Sequence, residues 1–425
     1  MFKKAFSLVL AIAMILSVVA VFASCSEENG GDTTKTLKVG VITIGDESEG
    51  YTKSHIDGIT AAVEALKAEG INVQVSYKKN TPEGSAVETN ALDLIASGCT
   101  LIIANSYGHQ FHFGDTVKKN PNVTFVMMTG DEAAKTAETN DYNAFTKIYE
   151  ARYVAGVAAG LKLQELVESG ELTAEKHPEA FDAEGNIKIG YVGAFNFAEV
   201  VSGYTAFFLG VKSVVSNVSM TVKYTNSWSD SEREAAAAEY LVELGCVMIG
   251  QHADTTGAPA AVEKKATADG KLCYCVGYNI SMLEVAATTA LVSPTNVWSA
   301  YYAPLFKAVA NGTAVTSEWA EGYASGAVTT TALGSACAEG TKEALEAVVA
   351  KIKSGEVKVF DCSKFTVDGE NLTTYTKAYG MEGKECLVTK DGVTYFDESA
   401  LRAAPYFDVR IDGITEVAYE SADAE

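Results

Sequence analysis

Aromatic rings recur beside carboxamides and carboxylates along this chain, each time just after a short run of Val, Ile or Leu. Gly45–Thr52 holds Asp46, Glu47, Glu49 and Tyr51; Asn105-Ser106-Tyr107-Gly108 follows the next apolar run of this kind. Further on come Ala194-Phe195-Asn196-Phe197, Asn226-Ser227-Trp228-Ser229-Asp230, His252-Ala253-Asp254-Thr255 and Tyr278-Asn279. Aromatic faces stack flat rings, worth about 1–3 kcal/mol per base, while Asn and Asp match ring nitrogens and amino groups. The chemistry suggested is capture of a flat, polar heterocycle.

Each residue also has a plainer reading. A single aromatic such as Tyr51 or Trp228 at a strand end is more often the lip of a core. Asn226 and Ser229 fit the start of a helix, because Asp230 precedes Glu232 and Glu234. His252 with Asp254 has the residue types of a metal site or general base, but no third ligand is in view, and a hydrogen-bonded supporting pair is expected. His109 and His112 are expected to be a solvated pair. Gly45 and Gly50 do not form a dinucleotide fingerprint, and the chain holds no G-x-S-x-G, H-E-x-x-H or P-loop lysine pattern. Binding is therefore the stronger reading and catalysis the weaker; no metal or cofactor is expected.

The elements that position these residues are written twice. Leu37-Lys38-Val39-Gly40-Val41 and Ile187-Lys188-Ile189-Gly190-Tyr191 open two stretches, and the step from Tyr77 to Gly98-Cys99 equals that from Tyr224 to Gly245-Cys246, 21 residues. Near-continuous apolar strands alternating with amphipathic helices predict parallel sheets covered on both faces. The first copy reads as strands Leu37–Ile44, Val73–Tyr77, Thr100–Ala104 and Val123–Met128; the second as Lys188–Val192, Met220–Tyr224, Val247–Gly250 and Leu272–Gly277. Ligands of open α/β sheets bind beyond the carboxyl ends of strands, where the aromatic clusters fall. A helix at Ile148–Leu163 begins the second lobe, and Glu165–Gly185 reads as a polar insertion. A strand at Ala290–Ser293 and a helix at Asn296–Asn311 return the chain to the first lobe, and Glu318–Ala332 brings it back, making three crossings that serve as a hinge. The expected division is 37–146 plus 291–320 for one lobe and 147–290 plus 321–425 for the other. The tail contains a helix at Thr341–Ser354 and a hairpin, Cys386–Lys390 with Val393–Phe396 about Asp391-Gly392, expected as an added edge on the second lobe.

Composition narrows the function further. Fifty-five acidic against 33 basic residues give a net charge of −22, or −24 once the two lysines of a leader are removed, a balance that opposes nucleic-acid binding. Residues 1–24 read as a secretory signal, with a basic start and an apolar run from Ala5 to Phe22. The Ala23-Ser24-Cys25 ending resembles a bacterial lipobox, in which Cys25 is acylated; residues 25–36 then form a flexible tether. The protein is expected outside the membrane and fastened to it. The remaining seven cysteines are too irregular for a disulfide framework, although Cys362 and Cys386 are placed where they could pair.

With these residues in view, the chain resembles the basic membrane protein family, substrate-binding lipoproteins of ABC importers related to the purine nucleoside receptor type. The matching segments include KVGVITIGDESEGYTKSHIDGI (Lys38–Ile59), LIIANSYGHQF (Leu101–Phe111), YEARYVAGVAAGL (Tyr149–Leu161), KYTNSWSD (Lys223–Asp230), GQHADTTG (Gly250–Gly257) and VGYNISM (Val276–Met282), in the family's order. The resemblance implies a type I periplasmic-binding-protein fold of two Rossmann-like lobes joined by a three-segment hinge, closing on a purine base or nucleoside and delivering it to permease subunits, with the protein a monomer. The NSW-D and QH-D-T patterns look most like the branch binding a free base such as adenine. By that likeness Tyr51, where the branch commonly has Trp, stacks one ring face and Trp228 the other. Ser106, Tyr107, Glu150, Asp254 and Asn279 supply hydrogen bonds, with Phe195 and Tyr278 as further aromatic contacts. Nucleoside-binding relatives carry Asp-x-Asp where this chain has Asn279-Ile280-Ser281, and an Asn meets adenine's amino group and ring nitrogen together. Two other classes remain: an extracellular hydrolase or transferase built on His252 and Asp254, and a sensing module for a membrane partner.

Overall fold

The computed structural model describes residues 36–419. The expectations for the leader, for acylation of Cys25 and for nearly all of the tether fall outside the described residues.

The first lobe runs β1 (Thr36–Ile42), α1 (Gly50–Ala68), β2 (Asn72–Lys78), α2 (Ala86–Ala96), β3 (Leu101–Ala104), α3 (Thr116–Lys119), β4 (Thr124–Met128) and β5 (Asp141–Thr146). The second runs α4 (Ile148–Glu168), β6 (Ile187–Gly193), α5 (Ala198–Lys212), β7 (Val218–Tyr224), α6 (Ser231–Glu243), β8 (Met248–Gln251), α7 (Gly257–Thr267) and β9 (Tyr274–Cys275). Then come β10 (Pro294–Asn296), α8 (Ser299–Asn311), β11 (Glu318–Glu321), β12 (Val328–Thr330), α9 (Thr341–Ser354), β13 (Leu387–Lys390), β14 (Val393–Phe396) and β15 (Ile414–Val417). The two large sheets have orders β2-β1-β3-β4-β5-β11 and β15-β7-β6-β8-β9, and every pairing within them is parallel. Parallel strands buried on both faces account for the near-continuous apolar runs.

The repeat in the sequence is a repeat in packing. A side chain at Gly40 of β1 would meet Ile102 Cδ1 and Leu94 Cβ, each at 2.9 Å; one at Gly190 of β6 would meet Ile249 Cδ1 at 2.9 Å and Leu241 Cβ at 3.0 Å. In both lobes a Leu on the covering helix and an Ile on the neighbouring strand press on a strand that has no side chain to yield. In the second lobe α4 and α5 touch through glycine: a Cβ on Gly156 would lie 2.2 Å from Phe207 O, and one on Gly210 2.1 Å from Tyr153 O.

Three short segments cross between lobes, at Thr146–Ile148, Asn296–Ser299 and Glu321–Tyr323, and they are tied together. Lys147 N donates to Glu321 O at 2.7 Å, Thr146 Oγ1 donates to Asn296 Oδ1 at 2.5 Å, and β10 pairs antiparallel with β12.

Several expectations need correction. Helix α4 runs to Glu168, into the segment read as insertion. The strand expected at Ala290–Ser293 falls instead at Pro294–Asn296, leaving Ala290 a lone bridge to Cys275. The hairpin about Asp391-Gly392 forms, but as a separate two-stranded sheet. The added edge of the second lobe is β15, paired in parallel with β7. It is pinned there because Glu416 accepts from the hydroxyls of Tyr204 at 2.6 Å and Tyr224 at 2.5 Å. Cys362 and Cys386 are both free thiols. His109 is fully buried, its Nε2 2.9 Å from Thr81 O, so it is no solvated partner of His112.

Candidate functional site

Helix α1 begins at Gly50 because Glu49 caps it, its carboxylate accepting from Tyr51 N and Thr52 N. That cap puts Tyr51 in the first turn, at the carboxyl end of β1. The ring edge meets His55 (centroids 4.5 Å, planes 81°), which stacks on Trp298 at 4.2 Å. The Tyr51 hydroxyl donates to Asn105 O at 2.6 Å. With hydroxyl and one edge both fixed, Tyr51 presents a rigid surface.

From the other lobe, Trp228 follows β7 in a loop that turns through Asn226, whose φ is 51°. Trp228 O accepts from Asp254 N at 2.9 Å. Its ring packs on Phe195 and Phe197, with centroids at 5.2 and 6.1 Å. Tyr278 lies on Arg152, the guanidinium carbon 3.9 Å from the ring centroid. Arg152 is 1% exposed and donates to Tyr191 Oη at 2.6 Å and Gln251 O at 2.9 Å.

These groups enclose a cavity of about 300 Å³ between the lobes. Of the residues named from sequence, Tyr51, Ser106, Tyr107, Trp228, Asp254 and Tyr278 line it. Phe195 stands behind Trp228, and Asn279 behind Asp254, donating from Nδ2 to Asp254 Oδ1 at 3.1 Å. Glu150 lies elsewhere: its carboxylate accepts from Tyr323 N at 2.7 Å at a hinge crossing and is not among the lining groups. Ser106 Oγ is engaged as a donor to Glu83 Oε1 at 2.5 Å. His252 pairs with Glu199 at 3.1 Å and not with Asp254 as the sequence reading supposed. The lobes meet directly at this wall, where Gly50 N donates to Asp254 O at 3.2 Å; a Cβ at Gly50 would sit 3.0 Å from that oxygen.

Lining residues outside the clusters named from sequence include Glu199, Asn80 and Thr129. Glu199 stands two positions past Phe197 and was within reach of the strand-end argument. Thr129 gave no signal: it is β-branched yet holds φ at 65°, its N–H donating to Ala144 O at 2.8 Å. Strained backbone of this kind gathers at ligand sites.

The cavity is acidic. Asp46 is held down to about 2 by hydrogen bonds from Ser48 and Asn80. Burial raises Glu49. It raises Asp254 well above the usual carboxylate range, with the charges of Glu49, Glu234 and Glu199 adding to the effect. Burial, then the nearby Arg152, lowers His252 to about 4, so the ring is neutral and its Nε2–H donates to Glu199. With Asp46 ionised and Asp254 pushed toward its neutral form, the cleft offers both acceptors and a donor to an uncharged polar ring. Among the described residues no cluster of three or more His, Cys, Asp or Glu could hold a metal.

Two parallel-sheet lobes, three hinge crossings and an aromatic cavity between them define a two-lobed solute-binding protein. The chain belongs to the family of PnrA-like ABC transporter substrate-binding proteins, whose model matches residues 37–362. This family is a solute-binding component of transporters and not a group of enzymes. A purine-binding protein of Brucella abortus is 30% identical over 344 residues, 81% of this chain and 88% of that relative. A putative ABC transporter glucose-binding protein of Haloferax volcanii is 27% identical over 285 residues, 67% of this chain and 65% of that relative. Among solved structures, an ABC transporter solute-binding protein of Aeropyrum pernix matches the fold with a TM-score of 0.59 at 16% identity, covering 79% of this chain and 94% of that one.

Proposed function

We propose that this protein is the extracytoplasmic, membrane-anchored receptor of an ABC importer, acting as a monomer that captures a purine base or nucleoside and delivers it to permease subunits. The observation that carries the reading is the joint placement of Tyr51 and Trp228, from opposite lobes, on one small cavity with Asp254. Only the closed form brings both aromatic surfaces to a ligand, so binding shifts the population toward closure.

Asp254 makes the purine reading chemical. A protonated carboxyl donates through O–H and accepts through its other oxygen, the complement of a ring nitrogen beside an N–H. The likeness to a purine-binding relative supports this assignment, and the anchor at Cys25 follows from the leader. A hexose also packs on aromatic faces, so the test must separate the two. Isothermal calorimetry with adenine, guanine, adenosine and glucose, beside mass spectrometry of what co-purifies, is expected to show purine binding and none for glucose. Glucose binding without purine binding would overturn the assignment.

A further inference from the structure

The family-matched segment ends at Cys362, yet the chain stays folded to residue 419. Phe365, Phe396, Tyr406, Phe407 and Ile411 share one buried core with α4, α5 and β6, and β15 extends that lobe's sheet. The extension is therefore built into the second lobe.

One stretch of it reaches the first lobe. Arg402 Nη1 donates to Asp131 Oδ2 at 3.0 Å, with side chains 4% and 2% exposed. Ala403 N donates to Glu318 Oε2 at 2.7 Å. Asp131 follows β4 and Glu318 opens β11, so both acceptors are fixed to the first lobe's sheet. The guanidinium is already set by its own segment, Nε donating to Ala404 O and Nη2 to Pro405 O, each at 3.0 Å. Gly380 leaves room for it: a Cβ there would lie 2.6 Å from Arg402 Nη1. Lys135 is a second, longer partner of Asp131 at 3.6 Å.

The same stretch walls an outer chamber of about 580 Å³ beside the ligand cavity. The two share Tyr107, Thr129, Glu199 and Trp228, so the extension stands next to the aromatic wall of the site.

We propose that Arg402 is a positioning residue for ligand capture, which with Asp131 fastens the C-terminal extension across the interlobe cleft and gives the closed form one defined register. Buried ion pairs add little net stability, but they penalise misaligned arrangements, and specifying geometry is their best-attested role. Gly50 to Asp254 is a single neutral hydrogen bond, whereas the two links of the extension are charge-assisted and stronger. Contacts made only on closure bias the equilibrium toward it.

The test uses the whole mature chain, with small-angle scattering of the ligand-free protein and stopped-flow release of adenine read through Trp fluorescence. Arg402→Ala is expected to enlarge the ligand-free radius of gyration and speed adenine release at least fivefold, with association changed less than threefold. Arg402→Lys recovers part of both effects, and adding Asp131→Asn to Arg402→Ala changes neither further. Unchanged size and release rate in folded Arg402→Ala, or effects of the two substitutions that simply add, would overturn the proposal. Should Arg402→Ala not fold, Glu318→Gln weakens the second link without touching the ion pair. It is expected to speed release at least twofold and to enlarge the ligand-free protein; no change in either overturns the proposal. Scattering needs no ligand, so failure to bind adenine would sink the purine reading while leaving this one to be decided by size alone.

Discussion

Asn279 holds Asp254 from behind, Nδ2 donating to Oδ1 at 3.1 Å, while Asn279 Oδ1 accepts from Asn296 Nδ2 at 3.0 Å. Asn296 Oδ1 in turn accepts from Thr146 Oγ1. Four buried polar side chains thus run from two hinge crossings to the ligand cavity. With its carboxamide engaged at both ends, Asn279 orients the acid, leaving Asp254 Oδ2 and the second lone pair of Oδ1 for the ligand. Asn279 adopts φ of 60°, a backbone state that Asn tolerates better than most residues.

This arrangement makes binding depend on pH through Asp254. Its folded-state pKa lies well above the unfolded value, so the native state keeps a proton that the unfolded chain has lost. Stability is then complete below the unfolded pKa and falls as pH rises toward the raised one. Adenine affinity measured by calorimetry should be highest with Asp254 protonated and weaken as pH rises through its raised pKa. Asp254→Asn, neutral throughout, should bind within about fivefold of wild type at neutral pH and show a flat profile. A wild-type affinity that rises in alkali would contradict this assignment.

Trp228 is only half-buried, so its ring matters more to the ligand than to the fold. Trp228→Ala should weaken adenine binding at least about tenfold, the effect of losing one stacking face. The thermal midpoint should move by no more than a few degrees, read by circular dichroism on the same samples.

Arg152 has the opposite balance. It is buried, supports the face of Tyr278 and satisfies Gln251 O, so Arg152→Met strands a carbonyl and loosens the cavity wall. Urea denaturation should show a loss of about 2–4 kcal/mol. Arg152→Lys should regain less than half, since an ammonium cannot lie flat on the Tyr278 ring while bonding Tyr191 Oη and Gln251 O.

Glu398 is fully buried, and neither carboxylate oxygen has a well-formed hydrogen bond. Burial raises it to about 8, against stabilising contributions from Ser202 and the Phe407 amide. The native state therefore holds a proton that the unfolded chain sheds near the ordinary value of 4.5, and stability declines as pH rises between the two. The melting temperature of wild type should fall from pH 5 to pH 8.5, while Glu398→Gln should show a shallower decline and melt higher at pH 8.5. Equal slopes in differential scanning calorimetry would assign that pH dependence to other groups, such as Asp141 or Glu234, each raised to about 7.

Much of this molecule was legible along the chain because its information is local. A parallel strand covered on both faces must be apolar throughout, and a helix must repeat every three to four residues. The duplicated β-α-β units, their order and the aromatic clusters at their carboxyl ends follow from those periods. The equivalence of Gly40 and Gly190 lies in the same spacing.

Contacts between residues far apart in sequence were not legible, because no local period encodes them. Glu416 is 212 residues from Tyr204, and that bond decides that β15, not the hairpin, extends the second sheet. Glu150 opens the second lobe's first helix, yet the hinge claims it through Tyr323, 173 residues on. Thr129 reaches the cavity wall just past β4 with φ at 65°, a backbone state that no local period encodes. The linear pattern of residues set which surfaces would be apolar and which loops would gather at the cleft. Which polar groups in those loops stay free for a ligand was settled in three dimensions, because it depends on partners that folding brings together.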